Sequence, residues 1–369
     1  MGTISFARGA PAPECLAVDL LAECAKSAIE RDGTAVLSYG TGLGYAPLRE
    51  WLSERYSIDP SQILLTNGSL QGFVYLAQHF FWSGVGGRVL VEAPSYDRPL
   101  LILRHHGVEV STIEMDDEGL DPEALERELK RGPKPAFLYT IPTFQNPSGR
   151  TLSVERRKRI VELAQEYDLL VLEDDPYGCL RYAGTSVAPI KALDTEGIVI
   201  YLSTISKTIA PGLRVGWLVA SEPIRRKLTI VKQAADLHTS SLDQRIVYRY
   251  LTDFDNDAHI RQIRKSYGER HAIMDATLTE SMPAGFSWTK PEGGMFLWVT
   301  CPEGVDTNEL MREALARKVL FVPGQDFFSN DPGQRYMRLN FSNASAEQIR
   351  VGIKRLAEVC AAALQCAIA

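Results

Sequence analysis

The chain has 369 residues, of which 45% are hydrophobic and 23% are charged, and it carries a net charge of −6 at pH 7. This length exceeds one ordinary hydrophobic core and predicts a large domain with a smaller one. The acidic balance argues against a nucleic-acid partner, and the lack of any apolar run approaching about 20 residues argues against a membrane span.

The beginning of the chain predicts an extended arm followed by a helix. Residues 1–8 have no basic region followed by an apolar stretch, so we expect no secretory signal. The six cysteines have no C-x-x-C spacing and lie at positions 15, 24, 179, 301, 360 and 366. This scatter favours buried or inert thiols in a reducing cytoplasm over a metal site or a disulfide framework. We therefore predict a cytoplasmic protein without a bound metal.

Hydrophobic periodicity then predicts short strands that alternate with helices. Helices are expected over 18–31, 46–56, 69–81, 121–130 and 153–167, and strands over 63–66, 88–92, 136–139 and 169–173. Two further apolar runs, 198–202 and 217–220, also predict buried strands. This alternation is typical of an α/β fold with a mostly parallel sheet covered on both faces. Such sheets bind ligands beyond the carboxyl ends of their strands.

A second region follows a long helix that is expected over 259–280. It contains predicted strands over 296–299, 320–323 and 336–341 and predicted helices over 307–317 and 346–363. We therefore predict three parts. Residues 1–35 form an N-terminal arm and helix that pack with the small domain and the substrate site, 36–265 form the large domain, and 266–369 form a smaller C-terminal α/β domain.

One lysine lies in an unusual setting between the two apolar runs at 198–202 and 217–220. Residues 203–214 read Ser-Thr-Ile-Ser-Lys-Thr-Ile-Ala-Pro-Gly-Leu-Arg, with Lys207 at their centre. A lysine between buried strands is costly to keep charged unless it has a partner or a task. Thr204, Ser206 and Arg214 suit a phosphate group, and the lysine amine suits an aldehyde. This combination points to pyridoxal 5'-phosphate (PLP).

Three weaker signals follow other predicted strands, and each has an ordinary alternative. Ser69 opens a helix, which favours a phosphate but is also a common cap. Tyr96 comes directly after a strand, where its ring can stack on a flat ligand or simply pack. Asn146 lies in a Pro-Gly turn and either donates to a ligand oxygen or satisfies its own backbone.

A stronger signal is the acidic run Glu173-Asp174-Asp175, which follows the apolar residues 169–172. Carboxylates at this place are poorly solvated unless they have a cationic partner. A protonated pyridine nitrogen is such a partner, and a carboxylate beside it keeps the ring an electron sink. The alternative is that Asp174 or Asp175 caps a helix.

Taken in this order along one α/β pattern, these residues resemble those of the PLP-dependent aminotransferases of fold type I and class I/II. The resemblance is strongest to the branch of 2-aminoadipate and kynurenine aminotransferases. It extends from Ile4 to Phe341 and the last helix. The resemblance implies an aspartate-aminotransferase-like fold, whose large domain has a mostly parallel seven-stranded sheet.

The resemblance also implies a set of roles for residues of this chain. Lys207 would form the internal aldimine with PLP and carry a proton between the substrate Cα and the cofactor. Asp174 would pair with the pyridinium nitrogen, Tyr177 and Asn146 would bind the ring oxygen O3', and Tyr96 would stack on the ring. The residues that would hold the phosphate are Ser69, the backbone of Leu70, Thr204, Ser206 and Arg214.

Further residues would bind the substrate or the partner subunit. Tyr39 matches a tyrosine that relatives send to the phosphate of the other subunit, which implies a homodimer; the alternative is a core tyrosine. Arg338 would bind the substrate α-carboxylate, with a structural salt bridge as the alternative. Gly9 would lend a backbone N–H to that carboxylate. Arg8 would contact an acidic or polar substrate side chain, unless it is a solvated surface residue.

The predicted function is a ping-pong aminotransferase. It would move an amino group from an L-amino acid of aminoadipate, aromatic or aliphatic type to a 2-oxo acid such as 2-oxoglutarate. The first alternative is another PLP reaction on the same fold, such as β-elimination, cyclisation or decarboxylation. The second is the sensor domain of a transcription regulator. We favour it less because the matching region begins almost at Met1 and the charge balance is acidic.

Overall fold

Three sheets organise the part of the chain that the structure describes. The computed structural model describes residues 2–82, 87–330 and 333–368, the last three of them by their backbone alone. After the short β1 (Ile4–Ser5), the largest sheet contains β2 (Ile63–Thr66), β3 (Arg88–Ala93), β4 (Glu109–Asp116), β5 (Gly119–Leu120), β6 (Phe137–Thr140), β7 (Val171–Asp174), β8 (Val199–Thr204) and β9 (Gly216–Val219).

This large sheet is mostly parallel, with the strand order β2-β9-β8-β7-β6-β3-β4-β5. The neighbours from β4 through β3, β6 and β7 to β8 pair in parallel. Strand β9 is antiparallel to β2 and β8, and β5 is antiparallel to β4. The expected mostly parallel sheet of seven strands is confirmed, and the two-residue β5 adds an eighth strand at its edge.

Helices cover the sheets and connect their strands. The described helices are α1 (Val18–Asp32), α2 (Thr34–Leu37), α3 (Ala46–Tyr56), α4 (Ser69–Ala77), α5 (Asp97–His105), α6 (Pro122–Arg131), α7 (Val154–Glu166), α8 (Glu222–Asp236), α9 (Ser241–Asp253), α10 (Asn256–Ser281), α11 (Thr307–Ala316) and α12 (Ala346–Ile368). The helix expected over 69–81 ends earlier as α4 and continues as the π-helical turn Gln78–Trp82. The sequence patterns did not indicate α2, α5, α8 or α9.

The central strands are buried on both faces. Every residue of β2, β6, β7, β8 and β9 is buried. Because side chains alternate along a strand, Leu202 and Leu218 pack in the core on one face of the sheet, whereas Tyr201 and Trp217 pack on the other. The side chains of two consecutive residues at the end of a strand can therefore point to opposite faces of the sheet.

The C-terminal region has its own sheet. Its strands are β10 (Ser287–Trp288), β11 (Phe296–Thr300), β12 (Val319–Leu320), β13 (Val322–Pro323) and β14 (Tyr336–Asn340). Four of them pair antiparallel in the order β10-β11-β14-β13, whereas β12 pairs in parallel with β1. The single strand expected over 320–323 is therefore wrong, because the chain changes its pairing partner at the buried Phe321.

The N-terminal arm is held by this C-terminal region. Phe6 is fully buried; its N–H donates to the Leu320 carbonyl at 2.7 Å, and its carbonyl accepts from the Asn340 N–H at 2.7 Å. The boundary expected between 265 and 266 falls inside α10, which runs through it as one helix of 26 residues. The three-part division of the chain stays a prediction.

The structure bears on two further features of the chain, its membrane-spanning potential and its cysteines. In the described ranges, no helix combines the length and the apolar composition that a membrane crossing requires. Five cysteines carry free thiols, at positions 15, 24, 179, 301 and 360. The side chain of Cys366 lies outside the described residues.

Candidate active site

The residues singled out from the sequence meet at one edge of the large sheet. Asp174 ends β7 and Thr204 ends β8, while Tyr96 follows β3 and immediately precedes α5. Ser69 follows β2 and begins α4. Because β2, β3, β7 and β8 end at the same edge, these side chains come together as the parallel topology predicts.

Lys207 lies just after β8 in the 3-10 turn Ile205–Lys207. Its Nζ donates to the Gly9 carbonyl at 2.7 Å, so the N-terminal arm reaches the lysine directly. Burial lowers the pKa of Lys207 to about 8, with further lowering by Arg338 and Arg214 and opposition from Asp174. A lysine whose pKa is lowered in this way is neutral in part near pH 8, whereas an ordinary lysine is almost fully charged there.

Asp174 is a buried carboxyl that lacks a full set of partners. Its Oδ2 accepts a hydrogen bond from the Tyr139 hydroxyl at 2.9 Å. Its Oδ1 is buried and has no hydrogen-bond partner among the described residues. Burial raises the pKa of Asp174 to about 7, and the hydrogen bond from Tyr139 opposes that rise. A cationic N–H donor facing Oδ1 would satisfy both the free oxygen and the charge.

The start of α4, the β8 turn and Arg214 meet in a corner whose groups suit an anion, called here the anion-binding corner. No described side chain caps α4, whose first N–H groups have no partners within the helix. The β9 backbone approaches this corner so closely that a Cβ at Gly216 would lie 2.6 Å from the Gly68 carbonyl carbon. Arg214 donates to the Asn67 carbonyl at 3.1 Å and to Ser206 Oγ at 3.4 Å.

Thr204 supports this corner from behind. Its hydroxyl donates to the Val215 carbonyl at 2.9 Å and lies 2.8 Å from Ser206 Oγ. Because a hydroxyl has one proton, Thr204 accepts from Ser206 in this arrangement. The geometry makes Ser206 the nearer of the two hydroxyl groups to Arg214.

Arg338 occupies β14 among aromatic rings. It donates to Asn146 Oδ1 at 2.7 Å and to the Ala7 carbonyl at 2.9 Å. Its guanidinium carbon lies 4.2 Å from the centre of the Phe296 ring and 5.0 Å from that of Phe327. Its Nε is buried without a partner, and none of the ion pairs in the described ranges includes Arg338. The structure therefore offers a guanidinium fork rather than the structural salt bridge.

Tyr96 and Tyr177 both lie within electrostatic range of Asp174 and Arg338, and Asn146 contacts Arg338. Burial raises the pKa of Tyr96 to about 12, with a contribution from Asp97, and burial also raises the pKa of Tyr177. Tyr177 packs edge-on against Phe296, with ring centres 5.9 Å apart. The oxygen of Asn146 is occupied by Arg338, so its Nδ2 is the group left to donate, as the sequence argument requires.

Comparison with known proteins identifies this arrangement. The family model described as aminotransferase class I and II matches residues 9–356. The chain belongs to the class I and II aminotransferases. It is 46% identical over 365 residues to aromatic-amino-acid aminotransferase 1 of Thermococcus litoralis. The alignment covers 96% of this chain and 87% of that protein.

Solved structures agree with this family. The aminotransferase superimposes on the Pyrococcus horikoshii kynurenine aminotransferase in complex with PMP with a TM-score of 0.93 and 42% identity, over 98% of this chain and 91% of that one. It superimposes on the Thermus thermophilus α-aminoadipate aminotransferase, complexed with N-(5'-phosphopyridoxyl)-L-leucine, with a TM-score of 0.95 and 37% identity, over 99% and 94% of the chains. The protein is an aspartate-aminotransferase-like PLP enzyme that catalyses transamination.

The residues present fit PLP. The free Oδ1 of Asp174 suits a protonated ring nitrogen, and the uncapped start of α4 with Ser206 and Arg214 suits the phosphate. Lys207, with its lowered pKa, suits the aldehyde. Asp174 and Arg214 thus offer opposite charge to the ring nitrogen and to the phosphate of the cofactor, respectively.

Some predicted residues lie outside this pocket in the single chain. The Tyr39 side chain is 86% exposed and contacts His238 edge-on at 5.9 Å between ring centres, so it is not a core tyrosine. Arg8 is exposed as well. Gly9 presents its carbonyl to Lys207, whereas the sequence argument had expected its N–H to serve the substrate.

Sequence reasoning missed a polar network close to Asp174, at the end of the site that suits the cofactor ring (the ring end). Glu92, at the end of β3, accepts from Thr140 Oγ1 at 2.6 Å, from Gln145 Nε2 at 3.0 Å and from the Ile141 N–H at 3.2 Å. Burial raises the pKa of Glu92 to about 7. Tyr139, the partner of Asp174, was also missed. Its place opposite β7 depends on strand register, which no motif reports.

Proposed function

We propose that this aminotransferase transfers the amino group of an aromatic, aminoadipate-type or aliphatic L-amino acid to 2-oxoglutarate. One observation carries the transfer reaction: Lys207 is buried where Asp174, Arg214 and Arg338 all act on its amine, and burial lowers its pKa to about 8. The amine of Lys207 is thereby close to Asp174 for the ring nitrogen, to Arg214 for the phosphate and to Arg338 for the substrate carboxylate. The names of the aromatic and α-aminoadipate relatives support this range of donors.

Lys207 is proposed as the group that holds the cofactor aldehyde and moves the substrate proton. When bound, PLP supplies an electron sink that stabilises the carbanion left at the substrate Cα. Lys207 Nζ, neutral in part near pH 8, accepts the Cα proton and later returns one. Asp174, paired with a cationic nitrogen, keeps its negative charge against the pull of burial. Tyr96 is proposed to stack on the ring.

Arg338 is proposed to bind the substrate α-carboxylate through its two terminal nitrogens, a geometry suited to guanidinium. Asn146 Oδ1 and the Ala7 carbonyl now occupy these nitrogens. Phe296 and Phe327 flank the guanidinium and exclude water, which strengthens a charged pair at this place. When the substrate binds, its charged carboxylate would therefore replace these two neutral oxygens as the acceptor of the Arg338 hydrogen bonds.

The walls of the same pocket support apolar donors. Phe296 and Phe327 flank the guanidinium of Arg338, Tyr177 packs against Phe296, and Tyr96 precedes Asp97 at the start of α5. Aromatic walls favour aromatic and aliphatic side chains through burial of apolar area. We include Arg8 as a contact for an acidic or polar side chain, in keeping with its place on the arm beside Gly9.

We further propose a cytoplasmic homodimer. Tyr39 is an aromatic side chain on the surface of one subunit, which suits a role in the phosphate site of another subunit. The exposed Leu37 and Leu237 add apolar surface on the segments that flank Tyr39 and His238. Burial of such side chains against a second copy would remove them from water.

A donor panel tests the substrate assignment. The holoenzyme is incubated with single amino acids of aromatic, aminoadipate, branched aliphatic and basic type, and conversion of the cofactor from its aldehyde to its amine form is followed by absorbance. We expect the first three classes to convert the cofactor and 2-oxoglutarate to restore it. Exclusive conversion by a basic amino acid would contradict the donor range, and product release without conversion would contradict the transfer mechanism.

A further inference from the structure

A cluster of charged and amide side chains lies behind the anion-binding corner and has no place in the site described so far. Asp236, at the end of α8, accepts from Lys232 Nζ at 2.8 and 2.9 Å. The same carboxylate accepts from Asn67 Nδ2 at 2.7 Å and from Gln71 Nε2 at 2.9 Å. The Lys232 side chain is 0% exposed. One carboxylate thus joins α8 to the loop that precedes α4.

The cluster reaches Arg214 through the backbone of that loop. Gln71 Oε1 accepts from the Asn67 N–H at 2.7 Å, so Asn67 is held through both its main chain and its side chain. The Asn67 carbonyl in turn accepts from Arg214 Nη2 at 3.1 Å. Asp236 therefore fixes the residue whose carbonyl orients the guanidinium.

Stability alone does not account for this arrangement. A buried ion pair gains little over apolar residues of similar volume, because desolvation of the two charges offsets their attraction. Burial lowers the pKa of Lys232, and Asp236 opposes that lowering. The distinctive feature is the place of the pair, directly behind the loop that leads into α4.

We propose that Asp236 is a positioning residue for the cofactor phosphate. It acts through Asn67 and Gln71 on the start of α4 and on Arg214, and Lys232 holds its charge in place. This inference rests on the proposed phosphate role of Arg214. A pre-ordered loop binds an anion without the cost of ordering that a loose loop would incur. Loss of the Asp236 charge should weaken binding of the phosphate group and leave binding of the aldehyde ring unchanged.

The test compares PLP with pyridoxal, which lacks the phosphate. The cofactor is removed from the holoenzyme, and each compound is titrated back while bound aldehyde is measured by absorbance. Asp236→Asn should raise the Kd of PLP about tenfold, the loss expected for one hydrogen bond to a charged group, and leave the Kd of pyridoxal unchanged. Glu222→Gln is the matched control, because it removes one acid from an exposed ion pair on the same helix.

Two further variants separate the possible failures. Arg214→Gln should weaken PLP and spare pyridoxal. If it does not, the proposed phosphate role of Arg214 is wrong. If Arg214→Gln behaves as expected while Asp236→Asn binds PLP as the wild type does, or weakens both compounds equally, the positioning role is overturned. Should Asp236→Asn fail to fold, Gln71→Leu removes two contacts of the cluster without stranding Lys232, and the same selective loss of PLP is required of it.

Discussion

At the ring end of the site, Asp174 is 6% exposed and its Oδ2 accepts a hydrogen bond from the fully buried Tyr139. At the phosphate end, Arg214 is exposed and is held largely by main-chain carbonyls. The ring end is thus made by strands of the core, whereas the phosphate end is made by loops that α8 supports from behind. Changes at the ring end should alter reactivity, and changes at the phosphate end should alter affinity.

Lys207→Ala should have the largest effect, because Lys207 is proposed both to hold the cofactor and to take part in the reaction. The variant lacks the amine that we propose moves the substrate proton, and we expect kcat to fall about a thousandfold. Single-turnover measurements with an active amino donor check this, with Lys26→Ala as an exposed control. Transamination at the wild-type rate would remove Lys207 from the reaction.

Asp174→Asn should have the next largest effect and is the sharpest probe of the ring end. The amide cannot supply the charge that holds a cationic nitrogen, and we expect kcat to fall about a hundredfold. The Kd of PLP should change less than in Arg214→Gln. Steady-state rates and cofactor titrations test this pair of expectations. A variant that loses cofactor affinity but keeps kcat would reverse the comparison between the two ends.

Arg214→Gln should show the opposite pattern. The variant would lose the charge-assisted hydrogen bond that we propose Arg214 donates to the phosphate, so the Kd of PLP should rise about tenfold or more. At saturating PLP, kcat should stay close to the wild-type value, because the ring end is untouched. A large fall in kcat at saturation would show that the guanidinium also acts on the reacting atoms.

The last expectation concerns pH and the stability of the cofactor-free protein. Burial raises the pKa of Asp174 from 3.8 to about 7. Between these values the folded state binds the proton more tightly than the unfolded state does. The free energy of unfolding therefore falls as pH rises through this window, by at most about 1.4 kcal/mol per pH unit from this group.

Denaturant melts at pH 5 and pH 7 measure this loss. Asp174→Asn should flatten the decline, whereas Arg214→Gln should keep it, because a guanidinium stays charged throughout this range. The remaining slope in Asp174→Asn reflects other buried carboxyls, such as Glu92 and Glu173, whose pKa values burial also raises to about 7. Equal slopes in the wild type and Asp174→Asn would contradict the buried environment of Asp174.

Sequence patterns predicted which residues of the candidate site come together, because its main residues follow strands. Asp174 stands at the end of an apolar run, Lys207 and Tyr96 follow such runs after a short turn, and parallel strands bring these positions to one edge. The patterns could not locate Tyr139, whose contact with Asp174 depends on how β6 pairs with β7. They could not locate Asp236 either, since it is 169 residues from Asn67 and carries no motif of its own.

Errors in the predicted fold have the same physical origin. Residues 320–323 looked like one strand because their apolar character is continuous. The division into β12 and β13 arises from the arrival of Ile4 and Ser5 at one part and Arg338 and Met337 at the other. Local propensity reports that a segment is extended, but its partners are set by long-range packing.

The acids at the end of β7 point to alternate sides. Glu173 accepts from the backbone N–H groups of Ile190 and Lys191, Asp174 faces Tyr139, and Asp175 accepts from the Tyr201 hydroxyl. Insertion of one residue before Glu173 would turn this order by one position and place Glu173 where Asp174 now stands. The length of this strand is consequently under tighter constraint than the identity of its apolar residues, and single-codon insertions there should be far less tolerated than substitutions.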